Sequence, residues 1–142
     1  MAGFSLVDVV VAASLIGIIA SFSVPRFTRI ANQARAAQVL ALRDNVSHAA
    51  AFAHAQYLAS GATLTTATMA GKSLELKDGY PDAGSNGIGK LVMEGDEFDA
   101  SHRSGFVTFA KMGAPSPEHC SVSYRAAAIG APAITAMESG GC

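Results

Sequence analysis

The stretch Phe4–Val24, FSLVDVVVAASLIGIIASFSV, decides how this chain is organised. It contains one ionisable residue, Asp8, close to its start. A helix rises about 1.5 Å per residue, so the stretch would be about 31 Å long, close to the roughly 30 Å hydrocarbon core of a bilayer. The sequence therefore predicts a membrane-spanning helix over residues 4–24.

Asp8 is the feature of this helix that points to function. An ionised carboxylate inside a membrane helix costs about 2.5 to 3.5 kcal/mol on insertion scales, so such a residue needs a partner. No other residue in the stretch is charged. No side chain of the run therefore carries a charge that could neutralise Asp8.

The residues around Asp8 resemble a known signature. Gly3-Phe4-Ser5-Leu6-Val7-Asp8, followed by an apolar helix with Gly17 and Pro25, resembles the amino terminus of type IV pilins and their pseudopilin relatives. The resemblance implies that a prepilin peptidase removes the leader, residues 1–3, between Gly3 and Phe4, and that Phe4 is N-methylated. It also implies that Asp8 pairs with the terminal amine of Phe4 in a neighbouring subunit, and that the helix can break between Gly17 and Pro25.

Two features depart from that signature. The family usually carries glutamate at the position of Asp8, and the leader Met1-Ala2-Gly3 has no Lys or Arg. Because Arg26, Arg29 and Arg35 follow the apolar run, a count of positive charges would place the carboxy-terminal side in the cytoplasm. The family pattern and the cysteines favour export of that side.

The cysteines Cys120 and Cys142 both lie late in the chain. An even number of cysteines in a small exported domain favours a disulfide, and the alternative is a pair of free thiols in a cytosolic protein. Closing a loop of about 20 residues would stabilise the fold by about 3 kcal/mol.

Residues 25–60 predict an amphipathic continuation of the same helix, with its stop at Ser60-Gly61. Apolar or small residues recur at helical spacing, and the predicted inward face comprises Phe27, Ile30, Ala31, Ala34, Ala37, Ala41, Val46, Ala49, Ala53 and Tyr57. Such a stripe needs a sheet to cover it.

Residues 61–142 predict that sheet. Candidate strands lie at 62–68, 73–77, 105–111, 120–127 and 133–137, the segment 79–87 is dense in turn formers, and 94–99 is an acidic surface stretch. In the strand from Cys120, the residues Cys120, Val122 and Tyr124 alternate onto one face. The predicted fold class is α+β, a long amino-terminal helix packed on a small antiparallel sheet, and the resemblance implies a pilin-like fold.

The second half of the chain resembles one pilin subgroup. Gly79-Tyr80-Pro81-Asp82-Ala83, Gly87-Ile88-Gly89, the Cys-x-Val-x-Tyr strand at 120–124 and the closing Gly140-Gly141-Cys142 resemble mannose-sensitive haemagglutinin type pilins.

No motif predicts an enzyme or a cofactor. Histidines 48, 54, 102 and 119 lack metal-ligand spacing, and there is no HExxH, CxxC or phosphate loop. The acidic residues Glu94, Asp96, Glu97 and Asp99 could supply oxygen ligands to Ca²⁺, although they lack the EF-hand spacing and such runs are usually solvated. A net charge of −1 gives no reason to predict a nucleic-acid partner.

The resemblance implies a structural function, a subunit of a type IV pilus that polymerises with copies of itself for adhesion, motility or surface attachment. The resemblance implies a precursor in the bacterial inner membrane, processing by prepilin peptidase and the pilus assembly machinery, and an extracellular filament. The alternatives are a type II secretion pseudopilin, a membrane-anchored binding module that does not polymerise, and an exported soluble protein with a cleaved signal.

Overall fold

A computed structural model describes residues 5–92, 97–128 and 131–142, apart from the side chains of Val24 and Pro25. The chain divides into two compact units, Met1–Ala34 and Arg35–Cys142. Helix α1 (Leu6–Ala59) contributes residues to both. Its bounds agree with the predicted helix over residues 4–60, and Gly61 follows it with φ 74°, the left-handed conformation that commonly ends a helix.

The second unit adds short strands and turns to its part of α1. In chain order they are β1 (Thr66–Met69), β2 (Lys72–Lys77), β3 (Tyr80–Pro81), the one-turn helix α2 (Gly89–Val92), β4 (Phe98–Arg103), β5 (Phe106–Lys111), a 3-10 turn (Pro117–His119), β6 (Ser121–Arg125) and β7 (Ile134–Glu138).

These strands form two antiparallel sheets. The first has the order β1-β2-β3 and the second β4-β5-β6-β7, so within each sheet consecutive strands pair with each other. The register places Phe109 opposite Val122, and Val107 opposite Tyr124. The predicted α+β class with antiparallel strands is confirmed. The division into two sheets was not predicted; it follows from the turn-rich segment after β3, which interrupts the meander.

The core of the second unit lies between one face of α1 and the sheet residues that point towards it. Val39, Leu42 and Val46 on the helix belong to the same buried cluster as Phe109 and Tyr124. The predicted inward face of β6 is confirmed, because Cys120, Val122 and Tyr124 are fully buried. Burying an apolar side chain of this size stabilises the fold by about 1.5 to 3 kcal/mol.

The predicted stripe on the helix was partly wrong. Val46, Ala49 and Ala53 are buried as predicted. The other positions of the stripe include five that are exposed: Phe27, Ile30, Ala34, Ala37 and Ala41. The buried positions beside Ala37 and Ala41 are Val39 and Leu42. Alanine fits either face of a helix, so an alanine-rich segment does not fix the helical phase, whereas the larger Val39 and Leu42 gain more from burial.

Strand β4 was missed in the sequence because its residues, FDASHR, are mostly polar. It lies at the edge of the second sheet, where most of its side chains are exposed. An edge strand with one face in solvent carries little of the apolar signal on which strand prediction depends.

Candidate functional site

The described part of the first unit is an apolar helix without a core of its own. Leu6 is 80% exposed, Ile16 is 67% exposed and Phe22 is 75% exposed. The segment is long and apolar enough to cross a membrane, and none of that window is buried. A soluble monomer rarely exposes a continuous apolar surface of this extent, which points to a lipid or protein environment around the helix.

Asp8 lies in the first turn of this helix with its side chain exposed. Its Oδ2 atom accepts a hydrogen bond from the backbone N–H of Ser5 at 3.1 Å, while the Ser5 hydroxyl accepts one from the Val7 N–H at 3.4 Å. This exchange resembles a capping box, in which side chains satisfy the free N–H groups of the first turn. The negative charge also lies at the positive end of the helix dipole.

The position of Asp8 leaves it able to accept a further donor. Its other carboxylate oxygen makes no hydrogen bond to any of the residues that the structure describes. A cationic amine approaching from the side of the helix could therefore bind this oxygen while the Ser5 bond remains. The predicted processing residues Gly3 and Phe4 lie outside the described residues.

The helix is continuous through Gly17 and Pro25. A Cβ atom added at Gly17 would meet nothing within 4 Å, so packing within the chain does not require glycine there. The predicted break between Gly17 and Pro25 concerns the assembled filament and stays a prediction.

The predicted disulfide is present. Cys120 and Cys142 are joined, with an S–S distance of 2.03 Å and a sequence separation of 22. Both residues are buried. Backbone bonds from Gly141 N–H to His119 O at 2.9 Å and from Ser116 N–H to Gly141 O at 3.1 Å hold the end of the chain beside the 3-10 turn.

Arg35, on helix α1, also contacts Cys142. Its Nη1 donates to the carbonyl oxygen of Cys142 at 3.2 Å. Arg35 was predicted to flank the membrane segment with Arg26 and Arg29, whereas its guanidinium contacts the disulfide-bounded segment. No sequence signal pointed to this contact, because it joins residues 107 positions apart.

Three elements hold the turn-rich segment 79–87, which includes β3. The Tyr124 hydroxyl donates to Pro81 O at 2.7 Å in a buried bond. His54 Nδ1 lies 3.1 Å from Gly79 O, and His102 Nδ1 lies 2.9 Å from Ala83 O. The segment predicted as a loop is therefore fixed by side chains of α1, β4 and β6.

The environment of Tyr124 favours its neutral form. Burial, followed by the nearby Asp82 carboxylate, raises the pKa of the Tyr124 hydroxyl well above its ordinary value. Gly87 shows how tightly this segment is folded, because an added Cβ would collide with the backbone of Asp82.

The His and acidic side chains in the described part of the chain do not assemble into a metal site. No group of three His, Cys, Asp or Glu side chains able to hold a metal occurs among the described residues. Of the acidic stretch, Glu94 and Asp96 lie outside those residues, and Glu97 contacts the Lys111 ammonium at 3.3 Å. A solvated acidic surface was the prediction for this stretch and calcium the alternative, and that choice stays a prediction.

The second unit also has an open groove beside α1. It has a volume of about 700 Å³ and is mainly apolar, lined by Leu42, Asn45, Val46, His48, Ala49, Ala51, Phe52, Met69, Ile88, Leu91 and Val92. None of the sequence-predicted site residues that the structure describes lines it.

Comparison with known proteins identifies no relative. No protein-family profile matches the chain, and neither a curated protein nor a solved structure matches it.

Proposed function

We propose that this chain is the structural subunit of a type IV pilus, anchored in the inner membrane before assembly and packed helix against helix afterwards. The observation that carries the proposal is the contrast between the two units. The second unit buries its own core, while the apolar side chains of the first unit are exposed along its helix.

The exposed apolar helix accounts for both the membrane-anchored subunit and the subunit in the filament. In the membrane, lipid covers the apolar surface, and in a filament the helices of neighbouring copies replace the lipid. Assembly of one surface onto a different surface of the next copy gives an open helical polymer. Apolar packing would supply most of the favourable free energy in the filament.

Asp8 would set the register of that packing. The carboxylate oxygen that Ser5 does not bind is available to the Phe4 amine exposed by peptidase cleavage in the adjacent subunit. Each charge is costly alone in a low-dielectric bundle, and a pair that forms in one alignment selects that alignment. The second unit would then lie on the outside of the filament, with the disulfide-bounded segment exposed to surfaces or partner cells.

The processing step is tested by the intact mass of the protein isolated from its native cells. Loss of residues 1–3 together with the gain of one methyl group is expected. A mature protein that retains Met1, Ala2 and Gly3 contradicts the proposed processing.

The role of Asp8 is tested by filament formation and membrane insertion measured side by side. Asp8→Ala should insert into the membrane and form no filaments. Asp8→Glu, the matched control, keeps the charge and should assemble. Normal filaments from Asp8→Ala would exclude pairing by this carboxylate. If all variants insert into the membrane but even the wild-type chain forms no filaments, the alternative of a membrane anchor that does not polymerise is favoured.

A further inference from the structure

Arg26 and Arg29 form a cationic pair at the carboxy-terminal end of the apolar segment. Both side chains are exposed on α1. Neither makes a hydrogen bond or an ion pair with another residue in the described ranges, whereas Arg35 contacts Cys142 and Arg43 contacts Asp44 at 3.0 Å. Two of the four arginines nearest the apolar run therefore lack a partner within the described chain.

The spacing of the pair places both guanidinium groups on one side of the helix. Residues three apart lie about 60° from each other around the axis, with a rise of about 4.5 Å. Phe22, one turn before Arg26, lies on the same side and is 75% exposed. This side of the helix therefore changes from aromatic to cationic within about two turns.

A shallow groove adjoins the pair. Its volume is about 220 Å³, and it is lined by Phe22, Ser23, Arg26, Phe27 and Ile30. Apolar side chains and Arg26 line this groove together, whereas Arg29 does not line it. A phospholipid presents the matching chemistry, with an acyl chain that covers apolar walls and a phosphate that binds a guanidinium.

The distance along the helix from Asp8 to Arg26 agrees with a phospholipid as the occupant. Asp8 and Arg26 are separated by about 27 Å of helix, close to the roughly 30 Å hydrocarbon core of a bilayer. When Asp8 lies near one boundary of that core, Arg26 and Arg29 lie at the other, at the depth of the lipid phosphates. Long cationic side chains at a helix end extend towards that layer.

We infer that Arg26 and Arg29, with Phe22 beside them, form a binding surface for the phosphate headgroup of anionic phospholipids. The inference rests on the proposed membrane anchoring of the subunit. It gives the two arginines a role on the exported side of the membrane, where a simple count of positive charges does not expect them. Binding there would hold the subunit at a fixed depth before assembly.

The test uses the full chain reconstituted in bilayers of phosphatidylcholine that contain spin-labelled phosphatidylglycerol or spin-labelled phosphatidylcholine. Electron spin resonance then gives the relative affinity of each lipid for the protein surface. The wild-type chain should prefer phosphatidylglycerol, and the preference should fall about fivefold for each arginine removed at low salt. High salt should weaken it, because the site is exposed.

The matched variants are Arg26→Gln/Arg29→Gln and Arg43→Gln. Arg43 is also an exposed arginine of α1, but its guanidinium is paired with Asp44. The double variant should lose the preference, and Arg43→Gln should retain it. Arg26→Lys/Arg29→Lys should keep part of it, because the charge remains while bidentate binding of phosphate is lost.

Each contrary result has its own meaning. A double variant that keeps the full preference, or a wild-type chain with none, overturns the inference and leaves the proposed function standing. A double variant that keeps the preference and forms no filaments assigns the arginines to a contact between copies, which also overturns it. A wild-type chain that alkaline carbonate extracts from the bilayer refutes the membrane anchoring and the inference together.

Discussion

The buried hydroxyl of Tyr124 offers the sharpest test of how the second unit is held together. Tyr124 is 0% exposed, and its hydroxyl donates to Pro81 O at 2.7 Å. Tyr124→Phe keeps the ring and removes the donor, leaving the buried Pro81 carbonyl without that bond. A buried polar group left unsatisfied costs about 1 to 3 kcal/mol, so we expect a loss of about 2 kcal/mol in the free energy of unfolding.

The same residue predicts a pH dependence. The pKa of Tyr124 is raised in the folded state, so the folded protein keeps a proton that the unfolded chain loses above a pH of about 10. The stability contributed by this difference is complete below that pH. It falls by about 1.4 kcal/mol for each further pH unit until the pKa of the folded state is reached. Tyr124→Phe should remove this part of the alkaline destabilisation.

Hydrogen exchange of the β5 and β6 amides, followed by mass spectrometry on the full chain in detergent micelles, measures the opening free energy of this unit alone. Tyr57→Phe is the matched control, because the Tyr57 hydroxyl makes no hydrogen bond to another described residue. It should change the opening free energy by less than about 0.5 kcal/mol. Equal effects of the two substitutions, or an unchanged alkaline profile in Tyr124→Phe, would refute the reasoning.

Three further substitutions test separate features. Cys120→Ser/Cys142→Ser should lower the free energy of unfolding by about 3 kcal/mol, because the unfolded chain loses a cross-link; a change below about 1 kcal/mol in denaturant titrations would contradict this. Gly87→Ala should destabilise the second unit by about 2 kcal/mol or more, since its Cβ would collide with the Asp82 backbone; wild-type exchange rates in β2 and β3 would contradict that collision. Gly17→Ala should raise helix stability by up to about 1 kcal/mol, and unchanged exchange of the neighbouring amides in micelles would contradict it.

The sequence predicted best those features that depend on long or strongly alternating patterns. The helix was predicted at 4–60 and runs from Leu6 to Ala59, because an apolar run and a glycine stop are local signals. The burial of Cys120, Val122 and Tyr124 followed from alternation in a strand. The disulfide followed from the number and position of the cysteines.

What the sequence did not predict depends on contacts between distant residues. The bond from Arg35 to Cys142 joins distant parts of the chain. The contacts of His54, His102 and Tyr124 with the turn-rich segment 79–87 do the same. Each of these side chains is common on protein surfaces, and its partner is a backbone carbonyl, which has no sequence signature. The phase of the alanine-rich helix stripe failed because alanine is compatible with either face.

Of the candidate site, the sequence predicted the apolar helix and the single carboxylate within it. It did not show that Ser5 already provides Asp8 with one local donor, although Ser-x-x-Asp is a capping pattern.

The turn between β1 and β2 has a practical consequence for anyone who wishes to label the protein. Ala70 and Gly71 have φ values of 48° and 75°, and Gly71 has open space around it. Cys142, by contrast, is buried, and its carbonyl oxygen accepts a hydrogen bond from Arg35. A peptide epitope joined directly after Cys142 would therefore begin inside the fold. A fluorophore or short epitope inserted at the β1–β2 turn should leave both sheets undisturbed and give microscopists a handle on the intact protein.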